Sequence, residues 1–272
     1  MLARILSGLI ILLLIFIGYE VIVGNQTQVQ IKLPIPTIFN PFPYKKPVIP
    51  VKRSYITVLV GDSMVEALGV NANQLRLDLI AHYPSHEFVN YNYGFGSTNI
   101  LTLSDRLTKE TAYQNEEFPP ILTQGFDLII IESFAYNPLS EFPLEEGLTK
   151  YEEILDGSIK QIMLARPNSV IALMTPIAPN KENFAKGVID LTPEKRLEWV
   201  KEREAYINKL ISYVKEKNIP LINVYEKSLD ANGDGDLKYI DSHDYIHPSK
   251  EGIKLISKTI SGFIFENKIF PQ

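Results

Sequence analysis

From residue 55 onward the chain alternates short apolar, β-branched runs with longer stretches in which apolar residues recur every three or four positions, and this alternation admits one broad architecture. The runs are 55–60, 88–93, 128–132, 170–175 and 221–224; the stretches with helical spacing are 74–82, 100–107, 151–165, 193–217 and 249–265. Within 193–217, Trp199, Ile207, Leu210, Ile211 and Val214 share one face. Alternating strands and helices build βαβ units, because a parallel strand pair needs a crossover long enough to hold a helix. Near-continuous Ile, Val and Leu in the runs implies cover on both faces of the sheet. The expected fold is α/β, a three-layer αβα sandwich on a five-stranded, mostly parallel sheet.

Composition removes several functions. With 272 residues, 45% hydrophobic and 22% charged, the chain supports one sizeable core with extensions. A net charge of -5, with no basic cluster interleaved with aromatics, excludes a nucleic-acid footprint. The absence of cysteine excludes thiol catalysis, disulfides and cysteine-ligated zinc together.

Ile5 to Tyr19 is uncharged and mostly apolar, preceded by Arg4 and continued after Glu20 by Val21, Ile22 and Val23. It reads as a membrane segment, and without an Ala-x-Ala site an uncleaved anchor is expected, with secretion after signal cleavage as the alternative. From 25 to 53, Pro34, Pro36, Pro41, Pro43, Pro47 and Pro50 favour extended backbone. Its apolar residues Ile38, Phe39, Phe42 and Tyr44 suit a wrapping arm. The expected organisation is an anchor or signal segment at 1–24, a proline-rich arm at 25–53 and an extracytoplasmic catalytic domain at 54–272; oligomeric state is left open.

In open α/β sheets, ligands bind outside the carboxyl ends of the strands. Those ends hold Gly61-Asp62-Ser63 after the first run, Gly94-Phe95-Gly96-Ser97 after the second and Asn137 after the third, with Asp244 and His247 before the last helix. A serine hydroxyl becomes a nucleophile when a histidine takes its proton and a carboxylate holds the other ring nitrogen. An acyl transfer also needs donors for the oxyanion. The backbone N–H of Ser63, an N–H in the Gly96-Ser97 turn and the Asn137 amide are candidates. Asp62 and His243 are placed to line the pocket, while Glu132 suits a structural hydrogen bond.

The segments Val60-Gly61-Asp62-Ser63 and Asp244-Tyr245-Ile246-His247-Pro248 resemble the first and last sequence blocks of the SGNH (GDSL-like) hydrolases, across residues 55 to 266. The resemblance implies a flavodoxin-like sheet, Ser63 as nucleophile, His247 as base and Asp244 as its orienting acid, without a cofactor. The middle blocks depart from the pattern. Ser97 falls where the oxyanion glycine is usual, and Ala135-Tyr136-Asn137-Pro138 replaces Gly-x-Asn-Asp, keeping only the asparagine. The expected activity is hydrolysis of an O-acyl ester on a small molecule or an envelope glycan. Glycan O-acyltransfer, or an idle anchored glycan-binding or scaffold domain, are the alternatives.

One further motif stands apart. Asp230, Asn232, Asp234, Asp236 and Asp241, with Gly235 at the sixth position, match the ligand spacing of a calcium loop. A polar turn-rich loop is the competing reading. His82 and His86 flank Pro84 and are expected at the surface.

Overall fold

A computed structural model describes residues 42–272; the apolar segment and the first part of the proline-rich arm lie outside the described residues. Among the described residues no helix is long and apolar enough to cross a membrane. The elements run β1 (Ser54–Gly61), α1 (Ser63–Glu66), α2 (Asn73–His82), β2 (Glu87–Gly94), α3 (Leu103–Thr108), β3 (Thr111–Tyr113), β4 (Glu116–Phe118), β5 (Leu128–Glu132), α4 (Leu144–Ala165), β6 (Val170–Met174), α5 (Pro193–Lys217), β7 (Leu221–Ile222), α6 (Val224–Lys227) and α7 (Lys250–Glu266).

The main sheet has five parallel strands in the order β2-β1-β5-β6-β7, which is the flavodoxin-like order. Alternate residues point to opposite faces, and both faces are apolar. Leu59, Ile130 and Ala172 pack with Leu75 and Leu79 of α2 and Ile256, Ile260 and Ile264 of α7. Val60, Ile129, Ile131 and Leu173 pack with Leu103 and Leu107 of α3, Tyr151 and Ile159 of α4, and Ile207 and Leu210 of α5. The three layers expected from the apolar runs are therefore present.

Differences from the sequence expectation are local. The fifth strand is cut to two residues because the Asn223 side chain caps α6 by accepting from the Glu226 amide. Helix α4 begins at Leu144 rather than Tyr151. The hairpin β3–β4 is an addition, turning at Gln114 and Asn115, both with positive φ as a two-residue primed turn demands.

The end of the arm belongs to the core. Tyr44 is 2% exposed; its amide donates to the Lys217 carbonyl at 2.7 Å and its hydroxyl accepts from the Ile171 amide at 2.9 Å. These contacts lie at the amino ends of the strands, opposite the end that concerns function.

Candidate active site

Parallel register brings three loops side by side. Gly61 pairs with Gly94 and Val60 with Ile131, so β1, β2 and β5 end together and release Asp62-Ser63, Phe95-Gly96-Ser97 and Ser133 to Asn137 at one edge. Close approach is built in: a Cβ on Gly61 would meet the Glu132 Cβ at 2.8 Å, and one on Gly94 would collide with the Glu66 amide.

Asp62 is fully buried and caps α1, its Oδ1 accepting from the Met64 amide at 2.9 Å. The Val65 and Glu66 amides donate to the Asp62 carbonyl, which leaves the Ser63 N–H without a partner among the described residues. Asp62 Oδ2 accepts from Asn137 Nδ2 at 3.0 Å. A carboxylate only accepts, so this contact fixes which end of the Asn137 amide is NH2 and leaves its second N–H over.

The loop before α7 orders the histidine. Asp244 Oδ1 accepts from the Ile246 and His247 amides at 2.8 and 3.0 Å, and Oδ2 accepts from His247 Nδ1 at 2.6 Å. Although burial works the other way, the His247 ring and the two amides hold the Asp244 carboxyl below the ordinary aspartate range. It therefore stays ionised, keeps the proton on Nδ1 and presents Nε2 as the basic nitrogen. No hydrogen bond joins Ser63 Oγ to His247 in this structure. His247 does lie near enough to act electrostatically on Asp62, the residue preceding Ser63. A catalytic serine–histidine bond commonly tightens only with substrate present.

The charge beneath this surface is balanced by a residue that the motifs do not announce. Arg106, 1% exposed, donates to the Gly61 carbonyl at 2.6 Å, the Tyr93 carbonyl at 2.8 Å, the Thr102 hydroxyl at 2.7 Å and the Thr98 hydroxyl. Its guanidinium lies 4.3 Å from the Phe95 ring centroid. One group thus ties the ends of β1 and β2 to the loop carrying Ser97. Burial lowers its pKa to about 10, so it remains cationic at neutral pH. Burial raises Asp62, while the Met64 amide, Asn137, Arg106 and His247 oppose the rise. Glu132 is pushed well above the carboxylate range by burial and by the Asp62 charge; it accepts from the Ser133 hydroxyl at 2.6 Å and the Phe134 amide at 2.8 Å. Arg106 thus stays cationic beside two carboxyls that burial pushes up, Glu132 further than Asp62.

Two oxyanion candidates separate. The Gly96 amide donates to the Tyr113 hydroxyl at 2.9 Å, which removes Gly96 from the free donors. Ser97 takes φ +58°, the left-handed region that suits glycine, and its amide has no partner among the described residues. Phe134 is likewise left-handed, at φ +55°, so backbone strain gathers on both sides of Ser63.

One further expectation is corrected. His243 is not a pocket residue: its side chain is 92% exposed and pairs with Asp241 at 2.7 Å. The acidic side chains of the candidate calcium loop are engaged locally. Asp230 accepts from the Asn232 and Asp234 amides, Asp234 from the Lys181 and Gly235 amides, and Asp236 from the Lys238 amide, so the carboxylates are turned onto backbone. Among the described residues no three acidic or histidine side chains converge as metal ligands.

Comparison with solved structures agrees with the topology. A GDSL-like lipase from Bacteroides thetaiotaomicron aligns over 80% of this chain and 91% of its own, at 13% identity and TM-score 0.54. A protein described as a GDSL-like lipase from Parabacteroides merdae aligns over 82% and 100%, at 17% identity and TM-score 0.58. An acetyl-xylooligosaccharide esterase from Geobacillus aligns over 77% and 94%, at 15% identity and TM-score 0.52. No protein-family profile and no curated protein matches the sequence. The chain therefore has the fold of the GDSL-like hydrolases. At these identities the likeness establishes fold, and the chemistry rests on this chain's own residues.

Proposed function

We propose that the chain is a serine esterase that cleaves an O-acyl ester through a covalent acyl-enzyme. Ser63 Oγ attacks the acyl carbon as His247 Nε2 takes the hydroxyl proton; the alcohol leaves with that proton, and water attacks the acyl-serine by the same base to release the acid. The Ser63 and Ser97 amides and the second N–H of Asn137 receive the oxyanion, each worth about 3 kcal/mol when preorganised. The observation that carries the reading is the Asp244–His247 contact of 2.6 Å, on a carboxylate already held by two amides.

The substrate is an O-acetylated or similarly short-chain ester on a carbohydrate of the cell envelope. Ser97 adds a side chain where glycine is usual, which favours a small acyl group, and the apolar run at 5–23 favours a tethered, extracytoplasmic site. The likeness to an acetyl-xylooligosaccharide esterase points the same way.

The test is turnover of p-nitrophenyl acetate and labelling by a fluorophosphonate, using the full-length protein beside Ser63→Ala and His247→Ala. Both variants should lose turnover by a factor of about 10³ or more, and Ser63→Ala should lose all labelling. Labelling that persists without the Ser63 hydroxyl would overturn the assignment.

A further inference from the structure

The Gly96 amide is already bonded, and its partner leads away from the strand ends. Tyr113 Oη accepts from Gly96 N at 2.9 Å and donates to Glu66 Oε1 at 2.9 Å. Glu66 is the last residue of α1, the four-residue helix that begins with Ser63. Gln114 Nε2 closes the ring, donating to Glu66 Oε1 at 2.8 Å and to the Tyr113 hydroxyl at 3.0 Å. The nucleophile helix and the Ser97 loop are thus joined through one phenol.

The phenol is held as well as bonded. The Tyr113 ring stacks on Phe95 at 4.6 Å and 12°, while Phe118, on the other strand of the hairpin, meets the Phe95 ring edge-on at 4.8 Å. Tyr113 closes the hairpin opposite Glu116, immediately before the turn. The fit is close enough to dictate a neighbour: a Cβ at residue 96 would stand 2.5 Å from Glu66 Oε2 and 2.9 Å from the Tyr113 hydroxyl. A side chain at 96 would therefore have to push the Glu66 carboxyl and the Tyr113 hydroxyl aside, and the left-handed turn falls to Ser97.

We propose that Tyr113 is a positioning residue that sets the Ser97 amide relative to Ser63 through the Gly96–Tyr113–Glu66 latch. This rests on the esterase reading, since Ser97 is there an oxyanion donor. An amide displaced by a fraction of an ångström still binds the ground-state ester but serves the transition state less well, so the latch acts on kcat rather than KM.

The test uses full-length protein and p-nitrophenyl acetate. Tyr113→Phe keeps the ring stack and loses the hydroxyl; kcat should fall about tenfold or more, with KM changed less than about threefold. Glu66→Gln, which keeps a carbonyl to accept the phenol, should lose less activity than Glu66→Ala. Hydrogen exchange of the peptide spanning 95–98 gives a readout independent of turnover: Gly96 should exchange faster in Tyr113→Phe. Unchanged kcat in a Tyr113→Phe protein whose wild type is active overturns the latch. If the wild type itself shows no turnover while exchange at Gly96 still rises, the esterase reading fails and the latch stands. Should Tyr113→Phe not fold, the Glu66 pair decides: equal losses in Gln and Ala overturn the proposal.

Discussion

The Asn137 amide donates to the Asp62 carboxylate at 3.0 Å, joining the loops that follow two adjacent strands, 75 residues apart in the chain. Asp62 is therefore more than a turn residue before Ser63. It caps the helix that carries the serine and orients the Asn137 amide proposed as an oxyanion donor.

That double duty separates stability from activity. Asp62→Asn leaves an amide facing the Asn137 NH2 and should cost about 1–3 kcal/mol with loss of turnover. The exchanged pair Asp62→Asn with Asn137→Asp restores a donor and an acceptor in reversed order, and the side-chain carbonyl kept at position 62 still accepts from the Met64 amide. Urea unfolding should show stability recovered in part, while esterase assays stay silent because a carboxylate now faces the oxyanion. Recovery of both together would break the assignment of Asn137 as a donor.

Arg106 joins two strand ends to the Ser97 loop from within the core. Arg106→Met leaves two carbonyls and two hydroxyls without their donor, removes a cation that acts electrostatically on Asp62, and should destabilise by about 3–5 kcal/mol. Arg106→Lys should recover a small part, since an ammonium lacks the planar fork that reaches two carbonyls and two hydroxyls together. Denaturant midpoints measure both. A lysine variant as stable as wild type would show that charge alone suffices.

The parts that sequence made legible are those in which periodicity and chemistry coincide. The five apolar runs became the five strands because burial on both faces leaves little choice of residue, and helix 193–217 was readable from its apolar residues three or four apart, with Thr192 capping it in the structure. The hairpin β3–β4 gave no signal: three-residue strands with paired glutamates have no apolar alternation, and its turn uses Gln114 and Asn115 where glycine is the usual marker. Arg106 carried a faint one. It sits three residues after Leu103, on the buried side of α3, where an arginine is out of place unless something receives it. The loop at 230–241 carries two readings because Asp, Asn and Gly supply ligand oxygens and backbone turns equally well.

Glu132 sets a pH dependence that can be signed. In the unfolded chain it ionises above the ordinary value of 4.5, whereas burial and the Asp62 charge keep it protonated in the fold. The native state then binds more protons, so stability falls as pH rises from that value towards the raised folded pKa, by up to tenfold in the unfolding constant per pH unit. Glu132→Gln removes the proton while its carbonyl accepts from Phe134 N and its NH2 donates to Ser133 Oγ. Relative to wild type, the variant should gain stability steadily as pH rises above the ordinary glutamate value in urea titrations. Parallel pH curves for the two proteins would mean that Glu132 is ionised in the fold.

Ser97 links backbone strain to the size of the acyl group. A serine at φ +58° bears a Cβ penalty of about 1 kcal/mol that glycine does not, partly offset by the greater freedom glycine has when unfolded. Ser97→Gly should therefore leave stability equal or raised by less than about 1 kcal/mol. It should also open the wall beside the oxyanion amide, raising the ratio of kcat/KM on p-nitrophenyl butyrate to that on the acetate. Ser97→Val, β-branched in a left-handed position, should destabilise and slow both esters. The ratio is the decisive reading, because strain relief alone would change both esters alike. If the butyrate-to-acetate ratio stays fixed in Ser97→Gly, residue 97 contributes its amide but does not set the chain length accepted.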